Sequence, residues 1–468
     1  MRDYRRQEIF DQDKLENGKV CILGAGPLTN YLCLYLSGLG IKNVKVIDNM
    51  PYQKDKNEFL LTGYKGQKVD GLETKVKEIN PELNIKGLNS RPLDFLIESP
   101  DVLVDLTNDP YSKKECKAIS RKVKGIKKII SASSSENNGS IRIYEVPKTE
   151  PLILGKPKKT KRIGLVNDNF SLGMYEGLEQ GNFTSGLISA IVLDEIRKAI
   201  LPLDNEHSLE SKVDFSLYSE NRFNSGLSFN ENRDNLSKKK VLVVGAGGIG
   251  TYVCLNLALM GVGSIDLYDG DIVEDHNLNR QVFYYDAIGK HKASALASRI
   301  NKITGKSYIQ PHDNYLKDIS KLKKYDAIFS CLDNMEYRLM LNKYSIEEHI
   351  PFVNGAVTTF NAIADFSNCY RCEGGADLML AEEKAEENSR AGCNNIRESN
   401  VVMANAFVGA LMASEIKPLM YPKKYSSLHG KKLTYNSKAV DSYKFDVSSQ
   451  ILSCLCHKKT NGCDCHDI

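Results

Sequence analysis

The chain has 468 residues, of which 41% are hydrophobic, so it is long enough for two or three domains with ordinary buried cores. Its formal net charge of +4 is too small to indicate nucleic acid as a partner, and the basic run at 156–162 is typical of a solvated loop. No apolar run reaches the length of a membrane span, and the N-terminus does not have the pattern of a signal peptide. We therefore expect a cytoplasmic protein with no membrane partner, and we expect the clustered cysteines among its 12 to bind metal or react.

Two segments share one pattern: an apolar strand, a glycine-rich turn, a helix, and a second strand that ends in aspartate. They span residues 20–48 and 241–269, and the first glycine precedes the aspartate by 24 positions in both. Two further pairs of similar segments follow in the same order, DVLVDLTND with DAIFSCLDN and SAIVLDEIRKAI with GALMASEIKPLM. This repetition predicts two copies of one α/β domain, each with a mostly parallel sheet covered by helices, and a boundary in the polar stretch near 202–238.

The second copy carries a complete nucleotide-binding fingerprint in Gly245, Gly247 and Gly250. Such glycines let backbone N–H groups approach phosphates at a helix N-terminus, and the acidic residue after the next strand, Asp269, takes the ribose hydroxyls. Two amides and two cations follow. They are Asn277, Arg280, Gln281 and Lys292. Hydride transfer does not need these groups, but attack on the α-phosphate of a triphosphate does, because the phosphate charge must be offset. A dinucleotide whose ribose binds Asp269 stays an alternative.

The first copy departs from the fingerprint. It has Thr29 where the second copy has Gly250, and Asn108 at the position of Asp333. It also has no Asn-x-x-Arg after its aspartate, so we infer that only the second copy has kept triphosphate chemistry. The first copy alone carries the motif YRRQ at residues 4–7, ahead of its opening strand.

The motifs GAGGIG, YDGDIVEDHNLNRQ, GKHK and SCLDN in the second copy, with YRRQ in the first, resemble ubiquitin-activating enzymes and the bacterial adenylyltransferases of thiamine and molybdopterin biosynthesis. The resemblance implies two tandem Rossmann-like domains in a pseudo-dimeric arrangement. It assigns an inactive domain to residues 1–205 and an active one to 206–425, with a crossover loop at about 373–400. Enzymes of this kind bind ATP and Mg²⁺, and the C-terminal glycine carboxylate of a protein attacks the α-phosphate.

The resemblance also implies roles for single residues. Asp269 would bind ribose, Asp333 would ligate Mg²⁺, and Arg6 would reach across from the first domain to complete the site. The implied phosphate-binding residues are Asn277, Arg280 and Lys292, with Gln281 beside them. Three alternatives stay open: Asp333 as a helix cap, Lys292 as a solvated helix lysine, and Arg6 as an exposed residue of a charged arm.

Cysteine pairs predict a structural Zn²⁺ site. One C-x-x-C pair lies at 369–372, and the C-terminal tail at 426–468 carries two C-x-C pairs. Similar enzymes close such a site with cysteines near the C-terminus, and we favour the first tail pair because it follows the strand-like YKFDV. The predicted ligands are Cys369, Cys372, Cys454 and Cys456. Cys463 and Cys465 form a second pair that is either labile or redox-active, and reduced spectator cysteines stay an alternative.

Cys393 lies in the predicted crossover loop, 21 residues after Cys372. By position it matches the thioester-forming cysteine of the minimal enzymes of this kind, and Arg390 and Arg397 would favour its thiolate. The alternatives are a metal ligand, a buried structural thiol and a sulphur-handling cysteine. The other internal cysteines occur in apolar segments and predict core packing. They are Cys21, Cys33, Cys254 and Cys331.

The predicted function is ATP-dependent activation of a ubiquitin-like protein through its C-terminal glycine, followed by a thioester at Cys393 and transfer to a conjugating enzyme. About fifty residues follow the last long helix, which leaves no room for a separate cysteine domain or a ubiquitin-like recruiting fold. Two alternatives remain: activation of a sulphur-carrier protein or small peptide for biosynthesis, and a nucleotide-binding scaffold without turnover. A dehydrogenase comes last.

Overall fold

The computed structural model describes residues 7–53, 58–90, 100–107, 125–144, 146, 182–204, 206, 208–209, 212–219, 222–223, 234–317, 319, 324–358, 361–366 and 400–436, and the backbone of 444–449. Several predicted site residues lie outside these ranges. They are Arg6, Cys369, Cys372, Cys393, Cys454, Cys456, Cys463 and Cys465.

The first copy folds around a sheet of seven described strands in the order β3-β2-β1-β4-β5-β6-β7. The strands are β1 (Lys19–Leu23), β2 (Asn43–Ile47), β3 (Asn84–Leu88), β4 (Val102–Asp105), β5 (Lys128–Ser134), β6 (Asn138–Tyr144) and β7 (Lys212–Ser216). The first five strands in this order are parallel, and β6 and β7 are antiparallel. Strand β7 thus belongs to the first sheet although it lies beyond the predicted boundary at residue 205.

The second copy repeats this plan in a sheet of eight described strands, ordered β10-β9-β8-β11-β12-β13-β14-β15. The strands are β8 (Lys240–Val244), β9 (Ser264–Tyr268), β10 (Ile309–His312), β11 (Ala327–Ser330), β12 (Phe352–Val357), β13 (Asn361–Asp365), β14 (Lys431–Asn436) and β15 (Lys444–Ser449). Five are parallel and β13, β14 and β15 are antiparallel, so the prediction of mostly parallel sheets is confirmed. The last two strands show that part of the C-terminal tail extends this sheet.

Helices cover both sheets. They are α1 (Gln12–Asn17), α2 (Pro27–Leu39), α3 (Lys68–Ile79), α4 (Asn182–Ile200), α5 (Gly248–Leu259), α6 (Lys292–Thr304), α7 (Met335–Glu347), α8 (Val402–Ser414) and α9 (Ile416–Met420). The central parallel strands are buried on both faces, which explains apolar runs such as VLVV in β8. No helix among the described residues is both long enough and apolar enough to span a bilayer.

The two domains meet through a layer of four helices. Helix α4 packs against α2 and α8, and α8 packs against α5. Every residue of α2 and α8 is buried, as is nearly all of α4, which is why α2 and α8 carry no charged residue and the charged residues near the end of α4 are ion-paired. The Tyr31 hydroxyl donates to Asn256 Oδ1 at 2.8 Å across this layer, and the Tyr35 and Tyr252 rings pack edge to face. The predicted pairing of the two copies is therefore a closely packed interface.

A buried ion pair also joins the two halves. Arg222 follows the last strand of the first sheet, and its Nη2 lies 2.7 Å from Glu415 Oε1, with both side chains almost fully buried. Nη2 also donates to the Ser426 carbonyl at 2.7 Å, and Nη1 donates to the Ser219 carbonyl at 2.7 Å. These hydrogen bonds satisfy the guanidinium away from water and link residues 193 positions apart.

Arg222→Met should lower the free energy of unfolding by about 3–5 kcal/mol, because Glu415 would remain buried without its cation. Urea denaturation measures this loss. Lys75→Met on α3 is the matched control, since it removes a half-exposed ion pair to Glu78 and should change stability little. Equal, small losses for the two variants would show that the buried pair does not hold the domains together.

Candidate functional site

The predicted site residues of the second copy lie at the carboxyl ends of its parallel strands. Gly245 follows β8, Asp269 follows β9, and Asp333 comes shortly after β11. Strands β8 and β11 are parallel neighbours in the sheet. The strand that follows β8 in the chain, β9, lies on one side of this pair, and the strand that follows β11, β12, lies on the other side. The crevice at such a topological switch point is where open α/β sheets bind ligands.

The glycine turn is tightly packed at Gly245 and Gly250, and it has open space beside Gly247. Gly245 has φ +102°, and a Cβ there would lie 2.6 Å from the Cys331 carbonyl oxygen. A Cβ on Gly250 would lie 1.8 Å from the Gly245 oxygen, so this position excludes any side chain. Gly247 caps the N-terminus of α5, and the nearest atom to a Cβ built on it is Gln281 Nε2 at 4.0 Å. This space at a helix N-terminus is where a phosphate can approach the backbone.

Asp269 holds the glycine turn as well as facing the crevice. Its Oδ2 accepts from the Ala246 N–H at 2.6 Å, and its Oδ1 accepts from the Asp271 N–H at 2.8 Å. Burial raises the pKa of Asp269 above its usual value, against the lowering effect of these backbone hydrogen bonds and of Lys292. In the first copy, Asp48 accepts in the same way from the N–H groups of residues 25 and 50, both at 2.7 Å. The carboxylate contact is therefore common to both copies.

The first copy accommodates a side chain where the second cannot. Thr29 Oγ1 donates to the Gly24 carbonyl at 2.5 Å, and the residue is fully buried. The turn in the first copy is thus filled by a hydroxyl at the position where the second copy has Gly250. The two turns therefore differ at this position, as predicted from the sequence, and the buried Thr29 hydroxyl has a hydrogen-bond partner within its own turn.

Arg280 and Asn277 are fixed in a short 3₁₀ turn, Asp275–Asn277, and the residues that follow it. Asn277 Oδ1 accepts from the Glu274 N–H at 2.9 Å, which caps the turn. The Arg280 side chain is buried, and its Nη1 donates to the His276 carbonyl and to Asn279 Oδ1, both at 3.0 Å. A buried guanidinium held at one edge is pre-organised for an anionic ligand.

Gln281 has a buried acceptor that no described residue satisfies. The residue is buried, and its Oε1 has no hydrogen-bond partner among the described residues. Its amide faces the open space beside Gly247. Because buried polar groups are nearly always hydrogen-bonded, this orphan acceptor fits a ligand that brings its own donor, such as a ribose hydroxyl.

Lys292 begins α6 and is not a solvated helix lysine. Its Nζ lies 2.8 Å from Asp271 Oδ2, and its side chain is 11% exposed against 47% for Asp271. The Tyr315 hydroxyl donates to Asp271 Oδ1 at 2.5 Å. Burial acts to raise the pKa of Asp271, but the hydrogen bonds from Lys292 and Tyr315 hold it below its usual value. The same contact with Asp271 raises the pKa of Tyr315 to about 12.

Asp333 is exposed beside β11 and does not cap the helix that follows. The cap is Asn334, whose Oδ1 accepts from the Tyr337 N–H at 3.0 Å. The interpretation of Asp333 as a helix cap is therefore wrong. Its carboxylate has no ion pair with another described residue, and carboxylate oxygens are suitable ligands for Mg²⁺.

The first domain contributes Gln7 to this side of the second domain. Gln7 is buried, and its Oε1 accepts from Asn279 Nδ2 at 3.4 Å. The sequence analysis assigned no role to either amide. Gln7 belongs to the YRRQ motif and Asn279 to the NLNRQ motif. Their contact could not be predicted from the sequence because the two residues are 272 positions apart.

The described cysteines are packed in the cores, as predicted. Cys21, Cys33, Cys254 and Cys331 are all free and buried. Burial raises the pKa of the thiols of Cys21 and Cys331 to about 12, so neither is a thiolate near neutral pH. Among the described residues, no group of three or more His, Cys, Asp or Glu side chains is arranged to hold a metal ion. The predicted Zn²⁺ ligands lie outside these residues.

Comparison with known proteins gives the family. The ThiF family pattern matches residues 3–226 and again residues 209–456. The chain belongs to the ThiF family. The two matches correspond to the two copies, so both α/β domains of the chain are ThiF domains in tandem.

Several curated proteins are similar over part of the chain. An adenylyltransferase and sulfurtransferase MOCS3-2 of Zea mays is 34% identical over 151 residues, which cover 30% of this chain and 31% of the relative. A MOCS3 protein of the same description from Caenorhabditis briggsae is 28% identical over 215 residues, covering 44% of this chain and 51% of the relative. The chain thus spans 31% of the length of the first of these relatives and 51% of the second. The SAMP-activating enzyme E1 of Haloferax volcanii is 30% identical over 216 residues, covering 44% of this chain and 76% of the relative.

Solved structures are more distant. The crystal structure of E. coli MccB with ATP is 24% identical, covers 47% of this chain and 65% of its own, and superposes with a TM-score of 0.39.

Alanine at two glycines should separate folding from ligand binding. Gly247→Ala should melt like wild type, because its Cβ has open space, but bind ATP at least about tenfold more weakly because the methyl group fills the phosphate approach. Gly250→Ala should lose about 1–3 kcal/mol of stability, because its Cβ would overlap the Gly245 carbonyl. Thermal melting and ATP titration measure both effects. Wild-type ATP affinity in Gly247→Ala would place the phosphates elsewhere.

Lys292→Met should remove a pH-dependent part of the stability. The pKa of Asp271 is lowered in the folded protein, so its pairing with Lys292 stabilises the fold above the unfolded pKa near 3.8 and is lost as pH falls through the folded value. Because Asp271 is half exposed, the difference should stay below about 1 kcal/mol. Urea denaturation over a pH series from 7 down into the acid range tests this, and a wild-type advantage that does not decline as the pH falls would contradict it.

Proposed function

We propose that the second ThiF domain catalyses the ATP-dependent adenylation of the C-terminal glycine carboxylate of a small ubiquitin-like protein. The observation that carries the proposal is the open glycine turn at the start of α5, with the Gln281 amide beside Gly247 and the Lys292 ammonium close enough to Asp269 to act on its pKa. The names of two relatives, an adenylyltransferase and sulfurtransferase and an enzyme that activates SAMP, support the same reaction class.

Each side chain has a task that follows from its place. Asp269 lies at the end of β9, where the ribose hydroxyls of a nucleotide reach in this fold. The N–H groups at the start of α5 face the phosphates from the space beside Gly247. We assign Arg280 and Lys292 to offset the phosphate charge, since Lys292 acts to lower the pKa of Asp269 and Arg280 precedes Gln281, whose amide borders that space. Asn277 holds the 3₁₀ turn that precedes Arg280.

The proposed chemistry is a substitution at the α-phosphorus. A carboxylate oxygen of the C-terminal glycine attacks it, the bond to the bridging oxygen breaks, and pyrophosphate leaves with the electron pair. Attack by an anion on a polyanion is opposed by charge repulsion, so fixed guanidinium and ammonium groups are needed to offset the charge. Arg280 and Lys292 provide them from the second domain.

We also propose that Arg6 provides a further guanidinium from the first domain. Its neighbour Gln7 is buried against Asn279, next to Arg280. A cross-domain arginine of this kind is worth about 10³–10⁵ in rate in other phosphoryl-transfer enzymes.

A Mg²⁺ ion would be held by Asp333 and the phosphate oxygens, and it would offset further negative charge during the reaction. Zn²⁺ has a different proposed role. It would brace the crossover segment and the C-terminal tail through Cys369, Cys372, Cys454 and Cys456. Colorimetric measurement of zinc released from the purified protein tests that role.

We propose Cys393 as the acceptor of the activated carbonyl. Its thiolate would attack the acyl carbon of the adenylate, AMP would leave, and a thioester would form. Transfer to a conjugating enzyme would follow. The four described cysteines are buried, and the pKa of each thiol is raised by burial, so they are unsuited to this step.

A second candidate is activation of a sulphur-carrier protein. The adenylyltransferase and sulfurtransferase relatives favour it, since their names join the same activation to sulphur transfer. The first half-reaction would be identical, and the adenylate would be consumed by a sulphur donor. Wild type and Cys393→Ala, incubated with ATP in lysate of the source cell, distinguish the two. A thiol-sensitive adduct on non-reducing gels, absent in the variant, supports the thioester, whereas turnover that requires a sulphur donor supports the second candidate.

Arg280→Ala and Lys292→Ala should each slow ATP–pyrophosphate exchange by about 10²–10³-fold, because each removes a charge that stabilises the transition state. The matched control is Lys68→Ala. Lys68 begins α3 of the first copy as Lys292 begins α6, and it pairs with Glu58 at 2.5 Å. Glu58 loses its cation in this variant, so exchange is measured below the melting temperature of Lys68→Ala, where it should equal that of the wild type. Equal losses in the two lysine variants would mean that the chemistry is not confined to the second copy.

A further inference from the structure

Two buried amide side chains connect the first domain to Arg280, and we refer to Gln7 and Asn279 together as the amide relay. Gln7 Nε2 donates to the Leu39 carbonyl at the end of α2, at 3.1 Å. Gln7 Oε1 accepts from Asn279 Nδ2 at 3.4 Å, and Asn279 Oδ1 accepts from Arg280 Nη1 at 3.0 Å. The exposed fractions are 1% for Gln7, 0% for Asn279 and 7% for Arg280. The relay is therefore shielded from water over its whole length.

The amides of the relay have only one orientation that satisfies every contact. Gln7 Nε2 uses its second hydrogen toward Gln12 Oε1 at 2.6 Å, and Asn279 Nδ2 uses its second toward the Asn400 carbonyl at 3.3 Å. Turning either amide over would place NH₂ groups against donors, and for Asn279 the facing donor is the Arg280 guanidinium. The hydrogen bonds of the relay therefore all donate in one direction, from Arg280 through Asn279 and Gln7 to the Leu39 carbonyl.

The interface at the relay leaves little room for an alternative arrangement. Gly38 of α2 is so close to the second domain that a Cβ there would lie 3.1 Å from the Asn279 carbonyl oxygen and 2.9 Å from Val282 Cγ1. From the other side, the Tyr252 hydroxyl donates to the Arg280 carbonyl at 2.7 Å. The Arg280 backbone is thus held by Tyr252 of the second domain. The Arg280 guanidinium is hydrogen-bonded to Asn279, which contacts Gln7 of the first domain.

We propose that Gln7 and Asn279 are positioning residues, which orient the Arg280 guanidinium. The proposal rests on the adenylation function proposed above. Its consequence is that the second domain has a fully arranged phosphate site only while the first domain is docked on it. The inactive copy then acts on catalysis through an amide contact as well as through its arginine.

The expected effect is on turnover more than on ATP binding. A guanidinium that is off by about 1 Å can slow a reaction by about 10²-fold, while ground-state contacts from the glycine turn and Lys292 remain. Gln7→Ala and Asn279→Ala should therefore lower kcat of ATP–pyrophosphate exchange by about 10–100-fold and change KM for ATP by less than about threefold. The double variant should be little worse than either single variant, because both break one relay.

The matched control is Gln12→Ala. Gln12 contacts Gln7 and donates to the same Leu39 carbonyl at 3.3 Å, but it makes no contact with Asn279 and should keep wild-type kcat. The swap Gln7→Asn with Asn279→Gln keeps the summed length of the two side chains and should restore most of the activity that either alanine variant loses. Thermal melting of every variant shows whether it is folded.

Two results would refute the amide relay without refuting adenylation. The first is a kcat in Gln7→Ala and Asn279→Ala equal to that of Gln12→Ala. The second is a loss of kcat in the double variant equal to the product of the losses in the two single variants. Absence of exchange in the wild type with the true acceptor would instead refute the proposed function. The amide relay is then tested without turnover, by titration with a non-hydrolysable ATP analogue and by a double-mutant cycle of Gln7→Ala and Asn279→Ala on the free energy of unfolding. Independent effects of the two amides in that cycle would refute it.

Discussion

The packing of α4 against α8 is the constraint on which the rest of the molecule depends. Both helices are buried on every side, so neither domain can expose its interface helix to water without a large loss of apolar burial. Their packing brings α2 and α5 together and sets the distance between the first domain and the 3₁₀ turn of the second. The contact between Gln7 and Asn279 exists because that distance is fixed.

The carboxylate that ends the second strand of each copy has a structural task before it has a chemical one. Asp48 and Asp269 each accept from one backbone N–H of their glycine turn and from the N–H two residues after the aspartate, although the complete glycine fingerprint occurs in the second copy alone. An acidic residue at this position therefore indicates the turn and the fold, and it does not by itself distinguish an active domain from an inactive one. The distinction lies in Arg280 and Gln281, for which the first copy has no hydrogen-bonded counterpart among the described residues.

Local features of the fold could be predicted from the sequence, and long-range contacts could not. The glycine spacing and apolar runs predicted two parallel α/β domains, because strand burial and tight turns each require particular residues at short range. The antiparallel strands at the sheet edges were missed, since their pairing depends on partners distant in sequence, as with β13 and β14. Asp271 was missed for the same reason: its importance comes from Lys292 and Tyr315, which lie 21 and 44 residues away.

The two lysines that begin α3 and α6 pair with carboxylates of very different exposure, which bears on the proposal that one copy is inactive and the other active. Lys68 pairs with Glu58, whose side chain is 2% exposed, whereas Lys292 pairs with Asp271, whose side chain is 47% exposed. A phosphate that takes Lys68 from Glu58 would leave a carboxylate buried without its cation, which is strongly unfavourable. A phosphate that takes Lys292 from Asp271 leaves a carboxylate that water and the Tyr315 hydroxyl can still solvate. The exposure of the competing carboxylate therefore decides which lysine a nucleotide can recruit.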